Sequence, residues 1–142
     1  MHIELSSYIV APISAWVLAQ TLKYLSQAYK ANSLKDFSFL YKSGNMPSSH
    51  AALMLSLLTV LAFKDGTNSA LFAAVLVLTM IILYDAVNVR RAVGEQGPIL
   101  LELAKKAGLK PAAHLAMGHR IPEVVAGGLL GIVVAMLVLQ FM

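Results

Sequence analysis

The chain contains no cysteine and few charged residues. The absence of cysteine among its 142 residues excludes disulfides, thiolate metal sites and a cysteine nucleophile. Charged residues make up 13% of the sequence, whereas soluble domains carry about 25%. Hydrophobic residues make up 58%, and the mean hydropathy is +0.74. These figures indicate an integral membrane protein, for which we expect membrane lipids and not nucleic acid as partners.

The sequence also lacks an internal repeat, a low-complexity segment and room for a second domain. Residues 1–142 are therefore predicted to form a single membrane-embedded domain. The first residues have no basic segment and no small-residue cleavage site, so we expect no signal peptide. The predicted fold is all-α, an integral membrane bundle of about four transmembrane helices with a short interfacial helix.

Four apolar stretches define the predicted crossings, and they run from about Tyr8 to Leu25, Pro47 to Phe63, Ser69 to Tyr84 and Pro122 to Met142. The second has about 16 residues, or about 24 Å of helix, which is short for a crossing. A bundle with so short an element could need a partner to cover its flanks, so a homodimer remains open, although no motif supports one.

A turn is expected at Ser43-Gly44-Asn45. The amphipathic stretch Ile99–Ala107 is expected to lie along the membrane surface.

Polar residues cluster at particular ends of these stretches. If the four elements alternate in direction, the end of the first, the start of the second, the end of the third and the start of the fourth share one membrane face. The residues at those ends are Lys23, His50, Asp85 with Arg90 and Arg91, and His119 with Glu123. Of the eleven Lys and Arg, only Lys64 falls on the opposite side. The positive-inside rule then predicts that the polar face is cytoplasmic and that both termini lie on the far side.

The residue types on this face suit phosphate chemistry. Cations and the hydroxyls of Ser48 and Ser49 can neutralise and bind phosphate oxygens, and the start of a helix favours an anion. His119 and Glu123 are four residues apart, so they share a helix face and the carboxylate could orient the imidazole. This spacing makes His119 a candidate nucleophile. His50 would then be the general acid that protonates the leaving alkoxide.

These motifs resemble the type-2 phosphatidic acid phosphatase superfamily, and within it a divergent branch of small membrane proteins. Pro47-Ser48-Ser49-His50 resembles the Pro-Ser-Gly-His motif of the superfamily, and His119 with Glu123 resembles its His-x-x-x-Asp motif. Lys23 fits the lysine of its first motif. The divergent branch carries three blocks, which stand here as Ser43–His50, Tyr84–Gln96 and Gly118–Val124.

The resemblance implies a metal-independent phosphatase without a cofactor that acts on a lipid phosphate or isoprenoid diphosphate through a phosphohistidine on His119. It implies catalytic roles for His119, His50 and Glu123, phosphate binding by Lys23, Ser48, Ser49, Arg90 and Arg91, and a supporting role for Asp85. Two arginines of the superfamily pattern are replaced here by Lys30 and Ala113. Arg90 or Arg91 would then supply the missing guanidinium.

Each residue also has a simpler structural explanation. Arginines anchor cytoplasmic helix ends, a lysine can extend toward the interface, serines cap helices, and an acid at a helix start complements the dipole. The rival function is a catalytically silent membrane protein that binds a lipid headgroup or another anion. A transporter or channel subunit is disfavoured because the apolar spans lack polar residues at mid-depth.

Overall fold

The structure, a computed structural model, describes residues 6–32, 46–109 and 118–142. Its elements are α1 (Ser7–Ala31), α2 (Ser49–Lys64), α3 (Ala70–Tyr84), a π turn (Asp85–Val89), α4 (Arg90–Lys106) and α5 (Ile121–Phe141). No strand occurs in these ranges. The predicted all-α class is confirmed. The turn expected at Ser43-Gly44-Asn45 lies outside the described residues.

Serine side chains cap the starts of three helices, namely Ser6 for α1, Ser48 for α2 and Ser69 for α3. Each hydroxyl oxygen accepts a hydrogen bond from a backbone N–H of the first turn, which has no partner within the helix. In α2, the Ser48 Oγ accepts from the Ala51 N–H at 3.4 Å. The local sequence therefore sets where these helices begin.

The helix formed by the third apolar stretch continues beyond Asp85. Helical structure is continuous over Ala70–Lys106, 37 residues, and passes through the π turn. The segment from Ile99, which the sequence predicted as a separate surface helix, is thus the end of α4. Charged residues at positions 85–91 do not break a helix, and a π turn absorbs an extra residue without interrupting it. α4 packs mainly against the π turn and is largely exposed.

Helices α1, α2 and α5 form the centre of the bundle, where the fully buried residues are mostly alanines: Ala11, Ala15, Ala19, Ala52 and Ala135. Glycines of α5 contact α2 directly. A Cβ at Gly127 would overlap the Ser48 carbonyl oxygen, and one at Gly131 would overlap that of Ala52. Small residues spaced in this way let helix backbones approach closely, as in many membrane helix pairs.

Two helices are long and apolar enough to cross a membrane, the continuous Ala70–Lys106 and Ile121–Phe141, with mean hydropathies of 2.4 and 2.5 over their best windows. Ser49–Lys64 is apolar but shorter. The outer side of α1 carries exposed large apolar residues, among them Ile9, Ile13, Trp16, Val17, Leu22 and Leu25. A bundle with small residues inside and large apolar residues outside suits lipid rather than water.

Hydrogen bonds at the two ends of the bundle establish the direction of its helices. At one end, the Tyr8 hydroxyl donates to Asp65 Oδ1 at 2.9 Å, which joins the start of α1 to the end of α2. At the other end, the Ser48 N–H donates to the Glu123 carbonyl oxygen at 3.0 Å, which joins the starts of α2 and α5. The alternation of direction assumed from the sequence therefore holds for α1 and α2.

Candidate active site

A histidine and a glutamate form a close pair at the start of α5. The distance from His119 Nδ1 to Glu123 Oε2 is 2.9 Å, and the two side chains are only 7% and 15% exposed. The same carboxylate oxygen accepts the Arg120 backbone N–H at 3.2 Å. The carboxylate thus caps the helix and fixes the imidazole. With Nδ1 engaged, Nε2 is the ring nitrogen left for attack on a substrate.

The backbone of His119 is held by the π turn. Its N–H donates to the Ala86 carbonyl oxygen at 3.0 Å. The residue before it, Gly118, lies so close to the backbone of Arg91 that a Cβ there would overlap it. A π turn changes the hydrogen-bond pattern of its helix, and here one of its carbonyl groups accepts from outside the helix. The π turn therefore positions the candidate nucleophile.

The start of α2 is hydrogen-bonded to the backbone of Glu123, one member of the His119–Glu123 pair. The Ser48 N–H bond to the Glu123 carbonyl oxygen links the second predicted motif to the third. Behind this link, Ala51, Ala86 and Val124 form a buried apolar cluster. Both predicted serines are buried, Ser48 fully and Ser49 nearly so. The Oγ of Ser48 is engaged as the cap of α2.

Lys23 of α1 is buried without an ion pair. Its residue is 5% exposed, and its ammonium group interacts electrostatically with Glu123. No carboxylate oxygen lies within 4.0 Å of it among the residues that the structure describes. A buried charge is costly unless it is paired and hydrogen-bonded. A group of opposite charge is therefore favoured beside Lys23.

His50 lies at the second position of α2 and is exposed. The charges of Arg90, His119, Lys23 and Asp85 all act on its imidazole. These residues come from three parts of the fold, namely α1, the region of the π turn and the segment just before α5, so the fold brings them into electrostatic range of His50 at the start of α2.

The two predicted arginines differ in their partners. Arg90 Nε lies 2.6 Å from Asp85 Oδ2, and Arg91 Nε lies 2.9 Å from Glu95 Oε1. Both ion pairs are partly exposed, so either guanidinium can be released at little cost. Lys30, which stands in place of a superfamily arginine, is exposed in the last turn of α1. Ala113 lies outside the described residues.

A cavity of about 180 Å³ opens beside His119. It is lined by Arg91, Gly94, Glu95, Gly118, His119 and Arg120. Arg91 therefore lies nearer this opening, whereas Arg90 acts on His50. Glu95 was not predicted as a site residue, although it lies within the second of the three sequence blocks, whereas Arg120 was among the cations expected at the site or its rim. The role of the Ala86 carbonyl group could not have been predicted, because every residue has a backbone carbonyl and the sequence does not indicate which one accepts a hydrogen bond from His119.

The fold and this polar cluster define a small helical membrane protein with a candidate site at one end of the bundle. The chain belongs to the Divergent PAP2 family, whose sequence profile matches residues 5–134. It is 31% identical to the "Uncharacterized membrane protein YuiD" of Bacillus subtilis (strain 168) over 150 aligned residues, which cover 94% of each chain. No solved structure matches it. The predicted family is confirmed, and the chain is related to the phosphatase superfamily.

Proposed function

We propose that this protein is a membrane phosphatase that hydrolyses a lipid phosphate or isoprenoid diphosphate through a phosphohistidine on His119, without a metal. The observation that carries the proposal is the buried His119–Glu123 pair beside a buried lysine that has no ion pair. Family membership supports the reaction class. A histidine oriented by a carboxylate is an activated nucleophile, and an unpaired buried cation suits a phosphoryl group.

The proposed reaction has two steps. His119 Nε2 attacks phosphorus and displaces the alcohol or monophosphate leaving group, which takes a proton from His50. The negative charge of Glu123 compensates the positive charge that develops on the imidazole. Water, deprotonated by His50, then attacks the phosphohistidine, which releases inorganic phosphate and restores His119.

Cations around the site stabilise the charge of the transition state. Lys23 holds the phosphoryl oxygens from α1, with the serines of the second motif beside it. Arg90 and Arg91 leave their carboxylate partners and supply the guanidinium groups that the superfamily places elsewhere. A site between helices with apolar outer faces is most accessible to a substrate that partitions into the membrane, which favours a lipid.

Phosphate release by the purified protein in detergent with EDTA tests the proposal. Across lipid monophosphates and diphosphates, we expect release by the wild type and about a 100-fold lower kcat/KM for Lys23→Met, because the substitution removes one charged donor from the transition state. Lys64→Met is the matched control, since Lys64 is exposed at the opposite end of the bundle. Equal release by the two variants would contradict the role of Lys23.

A second function is favoured by one specific set of contacts. Arg90 and Arg91 are paired with Asp85 and Glu95 and so are not poised to stabilise a transition state, whereas Lys23 has no ion pair among the described residues and can hold an anion. This arrangement suits a catalytically silent protein that binds a lipid headgroup or another anion. Saturable binding of lipid phosphate by the wild type, with no phosphate release from any substrate, would support this function instead.

The site is proposed to face the cytoplasm. The chain has no cysteine, so single cysteines introduced at Lys30 and Lys64 report on opposite ends of the bundle. We expect a membrane-impermeant maleimide to label Lys64→Cys in intact cells and Lys30→Cys only after permeabilisation, because the cationic end should stay inside. The reverse labelling pattern would place the site on the outer face.

A further inference from the structure

Four buried polar atoms have no hydrogen-bond partner among the described residues, and they are Ser7 Oγ, Gln20 Oε1, Gln27 Nε2 and Ser56 Oγ. A buried polar group without a partner is destabilising, and native proteins contain few of them. Gln20 and Gln27 belong to α1, on either side of Lys23. Of these two unpartnered atoms, only the Gln27 amide nitrogen is a hydrogen-bond donor, which is what an anion requires.

Gln27 and Lys23 lie on the same face of α1. They are four residues apart, so one side chain stands above the other with about 6 Å of helix rise between them. Gln27 is 8% exposed and Lys23 is 5% exposed. The lysine interacts with Glu123, and its charge acts on His50. A buried amide nitrogen without a hydrogen-bond partner and a buried ammonium group without an ion pair, both counted among the described residues, therefore stand one helical turn apart on the face of α1 that borders the candidate site.

We propose that Gln27 is a substrate-binding residue whose amide N–H donates a hydrogen bond to phosphate oxygens beside Lys23. This inference rests on the proposed function, because it assigns a further ligand to the same site. The folded protein keeps a destabilising buried donor, and the bound phosphate satisfies it. Gln27 lies outside the three blocks by which the sequence resembles its family.

The proposal predicts opposite effects of Gln27→Leu on stability and on binding. Replacing an unpartnered buried amide with an apolar side chain of similar size should raise the thermal midpoint of the ligand-free protein by about 2–4 °C. The same change should weaken binding of inorganic phosphate, measured by calorimetry in detergent, by about 10-fold. A residue with a purely structural role would instead lose stability and leave binding unchanged.

Two further variants sharpen the test. Ser56→Ala removes another buried polar atom without a partner, in the middle of α2, and should leave phosphate binding unchanged. Gln27→Glu places a negative charge beside the anion and should weaken phosphate binding about 100-fold at neutral pH. It also retains the size of the side chain, so it controls for altered packing.

The outcomes separate the two proposals. If the wild type and Gln27→Leu bind phosphate equally, the assignment of Gln27 is overturned while the proposed phosphatase function stands. If the wild type binds no phosphate and releases none from lipid substrates, the proposed function fails and the Gln27 assignment fails with it. Weakened binding in both Gln27 variants, with Ser56→Ala unchanged, supports the assignment.

Discussion

Phosphate release is expected to fall to background in His119→Ala, and by about 10³-fold or more in Glu123→Gln. Alanine removes the attacking nitrogen. Glutamine keeps the size and the oxygen that accepts hydrogen bonds, but it lacks the negative charge that compensates the imidazole as Nε2 bonds to phosphorus. The loss in Glu123→Gln should therefore appear in kcat, with KM little changed.

Matched controls make this result specific. Glu102→Gln changes an exposed glutamate that pairs with Lys106 at 3.0 Å on α4, and we expect its activity to remain at the wild-type level. In the double variant His119→Ala with Glu123→Gln, the loss should match that of His119→Ala alone, because the two residues act as a unit. Substantial release by His119→Ala would exclude this histidine as the nucleophile.

Gly127→Ala is expected to prevent normal folding, or to destabilise the protein by about 3 kcal/mol or more. The new Cβ would overlap the backbone oxygen of Ser48, which cannot move independently of α2. A flexible side chain could rotate away, whereas here two helices must separate. The measurement is the thermal midpoint in detergent, followed by size-exclusion chromatography, together with the yield of folded protein.

The neighbouring glycine is an internal control for this prediction. A Cβ at Gly128 would lie 3.4 Å from the Leu55 side chain, which can adjust. Gly128→Ala gives the same gain in helix propensity, so it should be neutral or slightly stabilising. Equal stability of the two variants would show that close contact between α2 and α5 is not required.

The glycine contact also bears on activity. The Ser48 N–H bond to the Glu123 carbonyl oxygen lies one turn from Gly127, so the spacing of α2 and α5 sets the separation of their two motifs. Any Gly127→Ala protein that folds is therefore expected to have low phosphatase activity. The close packing of α2 against α5 and the chemistry at this end of the bundle therefore depend on the same contact.

The sequence was sufficient to predict the fold class and the family. Hydropathy sets where apolar helices form, because lipid cannot satisfy a polar backbone. The His119–Glu123 contact was predicted from a spacing of four residues on one helix face, and it is present at 2.9 Å, although His119 precedes the N-cap of α5 and is not itself helical. The contact arises because Glu123 folds back over the start of α5 to cap it, which brings its carboxylate to the imidazole just before the helix.

Only the tertiary structure established the remaining features. The structure showed that the residues after Asp85 continue the third helix. Charged side chains indicate polar surroundings, but they do not interrupt the backbone hydrogen bonds of a helix. The structure also joined the His119 N–H to the Ala86 carbonyl oxygen and the Ser48 N–H to the Glu123 carbonyl oxygen, and it left the Gln27 amide buried without a partner among the described residues. The two backbone contacts depend on distances between residues far apart in the chain. Periodicity and composition constrain neighbours along the sequence, whereas contacts between helices depend on how closely their backbones pack.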